Sequence, residues 1–110
     1  MTISGSEKRR QARIKRELRV EVKTGTQTMQ IYSVDLSEGG IKVGGAMLKL
    51  TPGEQVELAI EKNSEKFTFN GQVARDDGIH HITRIGRDGN AYFVRILDER
   101  FSEFVKAILM

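Results

Sequence analysis

Two short stretches hold the residues best suited to chemistry. Asp35-Leu36-Ser37-Glu38-Gly39-Gly40 supplies a carboxylate, a hydroxyl and a glycine turn within six residues. Upstream, Arg9-Arg10-Gln11-Ala12-Arg13 supplies guanidinium groups, with Arg9 and Arg13 four positions apart. Arginine's planar fork donates two hydrogen bonds to O6 and N7 of guanine, worth about 1–3 kcal/mol of discrimination for a good pair. It also pairs with phosphate oxygens and stacks on purine faces. Asp35 complements this as an acceptor for a donor edge such as guanine N1–H and N2–H, and Ser37 donates or accepts. A turn at Gly39-Gly40 lets backbone N–H groups approach a ligand closely. A ligand that is anionic and carries purine edges suits both stretches, which points to a nucleotide.

Neither stretch means much alone. With ten arginines in 110 residues, an Arg-x-x-x-Arg pair is expected about once by chance, whereas Asp-x-Ser-x-x-Gly is expected roughly 0.03 times. A basic tail is ordinarily a solvated face, and an Asp/Gly-rich hexapeptide is ordinarily a plain turn. The segment between them changes those odds. Leu18, Val20 and Val22 alternate with Arg19, Glu21 and Lys23, the pattern of a half-buried strand. After the turn Thr24-Gly25-Thr26-Gln27 a second run sets Met29, Ile31 and Ser33 on one face and Gln30, Tyr32 and Val34 on the other. A hairpin centred on Gly25 and Thr26 pairs Val22 with Met29 and Val20 with Ile31, apolar with apolar, and a one-residue slip would turn every side chain to the wrong face. Asp35 then falls opposite Arg16, where the basic arm leaves the sheet. The arginines and the Asp-Ser-Gly turn become neighbours in space.

The rest of the chain reads as scaffold. Further strands are expected at 41–44, 55–61, 66–74 and 90–97, with Pro52-Gly53 as a turn signal ahead of Val56, Leu58 and Ile60. Residues 76–90, richer in Asp and Gly, read as a long hairpin excursion. Asp98 is a suitable N-cap for a final helix whose buried face would carry Phe101, Phe104, Val105 and Ile108. The sum is one mainly β domain: a small antiparallel barrel of six or seven strands over residues 18–110, with a C-terminal α-helix. Residues 1–17 form a flexible basic N-terminal arm ahead of it.

Charge and composition agree. The net charge of +3 is unevenly placed. Lys8, Arg9, Arg10, Arg13, Lys15, Arg16 and Arg19 face a single acid, Glu17, across residues 8–19. The absence of cysteine excludes disulfides, thiolate metal sites and cysteine nucleophiles. No apolar run reaches the length of a membrane span and the N-terminus lacks a secretory signal, so a cytoplasmic location is the expectation.

The order and spacing of these motifs resemble the PilZ domain family, bacterial receptor modules for the second messenger cyclic di-GMP. That family carries Arg-x-x-x-Arg just before the first barrel strand, Asp-x-Ser-x-x-Gly after the second, and commonly a terminal helix. Arg9 and Arg13 match the first motif, and Asp35, Ser37 and Gly40 match the second. The resemblance covers essentially the whole chain. It implies that Arg9 and Arg13 grip guanine edges and phosphates of cyclic di-GMP, while Asp35 and Ser37 bond a guanine; Arg10 is an added candidate because it lies inside the arm. It also implies that cyclic di-GMP is a regulatory ligand with no further cofactor, and that the domain acts on an unidentified effector protein. Closure of a loose arm onto the barrel would be the signal. The 76–90 excursion is longer and more polar than the family pattern between the last two strands.

Other functions find less support. Ser37 has no evident base and no carboxylate pair shares a site, so an enzyme is not expected. His80 and His81 are adjacent on a strand and point to opposite faces, so they read as surface residues rather than metal ligands. Phe67, Phe69, Phe93, Phe101 and Phe104 read as core before a stacking platform, and Tyr32 as either. A small barrel for single-stranded nucleic acid would interleave exposed aromatics with basic residues on its strands. Here the aromatic content is only 6% and the positive charge gathers on the arm, which makes nucleic acid a poor partner. That module, or a ligand-independent protein-interaction domain, is the alternative.

Overall fold

Alternating apolar residues build most of the barrel wall. The computed structural model describes residues 17–109, and arranges them as β1 (Arg19–Lys23), β2 (Thr28–Ser37), β3 (Gly40–Gly45), β4 (Gln55–Lys62), β5 (Glu65–Ile82), β6 (Arg87–Ile96) and the helix α1 (Arg100–Leu109). Arg9, Arg10, Arg13 and Arg16 lie outside the described residues. The strands close in the order β1-β2-β3-β6-β5-β4, all neighbours antiparallel. Closure gives every strand a neighbour on both sides along part of its length and encloses one core. Val20, Val22, Ile31, Ile41, Val43, Leu58, Ile60, Val73 and Val94 project inward and are buried.

The first hairpin has the expected register, Val20 against Ile31 and Val22 against Met29. The β4–β5 hairpin turns through Asn63 (φ 53°) and Ser64 (φ 68°), between the paired residues Lys62 and Glu65. Two successive positive φ values match the right-handed twist of the flanking strands. At the base of α1, Asp98 Oδ1 accepts from the Arg100 backbone N–H at 3.0 Å and so caps the first turn. Phe101, Phe104, Val105 and Ile108 form the buried face of the helix. Phe101 meets Phe69 edge to face at 5.1 Å, and Phe104 lies 5.0 Å from Phe67.

The largest difference from sequence expectation lies in residues 76–90. They do form a hairpin, as expected, but it continues β5 and β6 directly rather than standing between strands that end at 74 and begin at 90. Ile79 pairs with Asn90 and Ile82 with Arg87, and the tip closes through a 3-10 turn at Thr83–Ile85 and Gly86. β5 therefore continues well past residue 74. Its period is broken by register shifts between Val73 and Arg75 and between Asp76 and Gly78, which hide the strand from a search for alternation. These bulges bend the hairpin, and its tip folds back on the sheet. Ile82 is fully buried there, its Cδ1 in space that a Cβ on Gly44 or Gly89 would crowd at 3.0 and 2.8 Å.

Candidate functional site

Pairing across four strands decides which residues share the outer face. Leu36, Ile41, Val94 and Val73 are successive partners across β2, β3, β6 and β5, and all four are buried in the core. The neighbouring rows therefore face outward. One row runs Asp35, Lys42, Phe93, Arg75, and the other Ser37, Gly40, Arg95, Gln72.

A bulge in β2 makes this arrangement possible. Ser33 pairs with Val43 and Asp35 with Lys42, leaving Val34 as an extra residue. Under strict alternation Asp35 would follow Ser33, which is fully buried, into the core. The extra residue turns Asp35 outward and Leu36 inward, a re-aiming for which bulges are well suited. Ser33 in turn holds the chain entering β1. Its Oγ accepts from Leu18 N at 2.7 Å, and its own N–H donates to the Leu18 carbonyl at 2.9 Å.

Asp35, Leu36, Ser37, Gly40, Lys42 and Phe93 line a recess of about 10 Å³. Gly40 sits beneath the Phe93 ring, and a Cβ there would come within 2.6 Å of the ring and 2.4 Å of the Val94 carbonyl oxygen. The Ser37 hydroxyl lies 3.5 Å from the Gly40 carbonyl, a long contact that leaves its donor lightly committed. The turn between the motif strands is tied to the end of the barrel: Glu38 accepts from the Ser102 hydroxyl of α1 at 3.2 Å, and the Gly39 carbonyl accepts from Ile96 N at 3.2 Å.

Beside the recess stands a small ion cluster. Lys42 Nζ lies 3.4 Å from Asp77 Oδ2, with both side chains mostly buried, and Arg75 Nε donates to Asp77 Oδ1 at 2.7 Å. The Arg75 guanidinium also lies 4.7 Å from the centre of the Phe93 ring. Burial by itself would push the Asp77 carboxyl up, but the Arg75 hydrogen bond and the charges of Lys42 and Arg75 outweigh it and hold the group below its ordinary value. A second cavity, of about 510 Å³, is lined by Glu17, Val34, His80, His81 and Thr83. A groove of about 680 Å³ between β4, β5 and α1 contains none of the motif residues.

The structure thus brings Asp35, Ser37 and Gly40 together on one face. Phe93, expected in the core, instead stands on that face and walls the recess. Lys42, Arg75 and Asp77 were not anticipated. Lys42 and Phe93 were discoverable as the outward positions between Ile41 and Val43 and between Tyr92 and Val94. Asp77 was not, because a bulge places it. His80 is half-buried with Nε2 3.2 Å from the Asp77 carbonyl, while His81 is exposed beside Asp88 at 3.4 Å. Among the described residues no group of three or more His, Cys, Asp or Glu side chains could hold a metal ion. No helix there is long and apolar enough to cross a membrane.

Comparison with known proteins names the class of molecule to which this fold and face belong. The PilZ domain model matches residues 7–98, so the chain belongs to the PilZ domain family. That family consists of regulatory binding domains rather than enzymes. Among solved structures, the chain is similar to the PilZ domain of YcgR from Escherichia coli, solved with c-di-GMP. The two are 17% identical with a TM-score of 0.71, over 91% of this chain and 87% of that one. It is also similar to the PilZ domain of CeSA from a cellulose-synthesizing bacterium, at 23% identity and TM-score 0.60, over 84% of this chain and 88% of that one. The Bacillus subtilis inhibitor of motility MotI/DgrA matches at 21% identity and TM-score 0.61 over 82% of this chain, which spans only 43% of that protein's length. Comparison with curated proteins gave no match.

Proposed function

We propose that this PilZ domain is a bacterial receptor for cyclic di-GMP, bound between the arginine arm and the outer face that carries Asp35, Ser37 and Gly40. One observation carries the proposal: in a chain of this family, the three motif residues converge with Lys42 and Phe93 in a single recess. The chemistry is complementary. Asp35 accepts from guanine N1–H and N2–H, Ser37 bonds the same base, and Phe93 offers an aromatic edge beside them. Lys42 and Arg75 supply positive charge for phosphate next to the motif.

The recess has room for about one water molecule. A ligand of this size therefore rests on the face and needs a cover from the opposite side. Residues 1–17 are proposed as that cover, with Arg9, Arg10 and Arg13 gripping guanine edges and phosphates, and residues 18–110 as the rigid half of the site. Ordering five arm residues costs on the order of 5–10 kcal/mol if they are free beforehand. A micromolar affinity corresponds to about 8 kcal/mol, so the arginine contacts, the contacts to the motif face and charge pairing together must supply that in addition to the ordering cost. A domain whose arm closes on its ligand presents a new surface, and an effector protein reads it. A cytoplasmic location accompanies this proposal.

Isothermal titration with cyclic di-GMP tests it. The wild-type chain is expected to bind saturably in the micromolar range, and Arg13→Ala to lose at least tenfold in affinity. Absence of heat with the wild type would reject the receptor assignment and direct the search to a protein partner of the arm.

A further inference from the structure

Glu17 lies two residues before β1, and its side chain is engaged far away in sequence. Its Oε2 accepts from Thr83 N at 2.9 Å and its Oε1 from Arg84 N at 2.7 Å. The Glu17 carbonyl accepts from the Arg84 guanidinium at 3.2 Å, and that guanidinium lies 5.1 Å from the centre of the Tyr32 ring. Three hydrogen bonds thus join the start of the barrel to the tip of the β5–β6 hairpin. The next residue, Leu18, is held from the other side by Ser33 through the two bonds described above. The bulges of β5 and the seat of Ile82 against Gly44 and Gly89 bring the tip to this place.

We infer that the hairpin tip is a clasp that sets the direction in which the chain leaves the barrel upstream of Glu17, making Glu17 and Thr83 positioning residues for the ligand. This rests on the cyclic di-GMP assignment and deepens it. Arg13 is four residues from Glu17, so its backbone lies within about 14 Å of that anchor. A fixed anchor narrows the volume the guanidinium searches and lowers the entropy lost when it closes on the ligand. The clasp adds no contact to the ligand. It acts through the arm.

The clasp can be cut from both sides. Glu17→Ala removes the two side-chain acceptors. Thr83→Pro removes one donor at the first position of the 3-10 turn, where proline is tolerated, and Ile82 before it is already extended (φ −110°, ψ 107°). In the full chain, each variant is expected to weaken cyclic di-GMP binding about tenfold, with little change in melting temperature. The double variant should be no weaker than the worse single one, because both cut the same device. Glu17→Gln, which keeps one acceptor oxygen, should fall between wild type and Glu17→Ala. Losses that add in the double variant, or unchanged affinity in both singles, would overturn the inference. A readout without ligand separates it from the receptor assignment. Backbone ¹⁵N relaxation in Glu17→Ala should show greater mobility at residues 13–16 and at Arg84 than in wild type. Equal mobility would remove the clasp even if cyclic di-GMP binds. Failure of the wild type to bind, with mobility raised as expected, would reject the receptor assignment and leave the clasp standing.

Discussion

At the scale of single residues, position on the sheet decides what each side chain can do. Asp35 would be a core residue but for the extra Val34, and Gly40 is a glycine because the Phe93 ring and the Val94 carbonyl occupy the space of a Cβ. Gly40→Ala is therefore expected to destabilise the barrel by about 1–3 kcal/mol, the usual cost of overpacking, read from the midpoint of urea unfolding. Asp77 gives a pH prediction. Its carboxyl is held low in the folded protein, so the unfolded chain takes up the proton first as pH falls. Its contribution to stability is complete above the unfolded value of about 3.9 and is lost as pH drops through the lower folded value. Acid titration of stability should fall more steeply below about pH 4 for the wild type than for Asp77→Asn, and parallel curves would show that the cluster is electrostatically idle.

At the scale of elements, the β2–β3 hairpin presents the motif, while α1 and the β5–β6 hairpin brace it from two sides. The helix anchors through Phe101, which is fully buried against Phe69, and touches the motif turn through Ser102 and Glu38. Phe101→Ala should cost about 3–5 kcal/mol, the range for a buried aromatic truncated to a methyl. Thermal denaturation would register it as a large drop in Tm. The β5–β6 hairpin owes its reach to two bulges. A regular strand of the same length would keep its period and stay in the plane of the barrel wall.

At the scale of the molecule, a closed barrel whose candidate site lies on its outer face should respond to a bound ligand as one cooperative unit. Cyclic di-GMP at a hundred times its dissociation constant should stabilise the fold by about 2.7 kcal/mol, a rise in Tm on the order of 10 °C. An unshifted Tm at saturating ligand would count against binding to the folded state. Much of this architecture was legible in the chain itself. Local alternation, turn residues and an N-cap are properties of neighbours in sequence, so the register of Val20 on Ile31, the strands at 41–44 and 55–61, and the Asp98-capped helix could be read directly. So could the motif, because Asp35, Ser37 and Gly40 lie within one turn. Only the tertiary structure decided the rest. A bulge breaks the period by which strands are recognised, so the strand register inside the expected 76–90 hairpin and the outward turn of Asp35 were hidden. The meetings of Lys42 with Asp77 and of Glu17 with Thr83 and Arg84 join residues 35 to 67 positions apart. No local pattern encodes such pairs, since barrel closure and the bend of one hairpin bring them together.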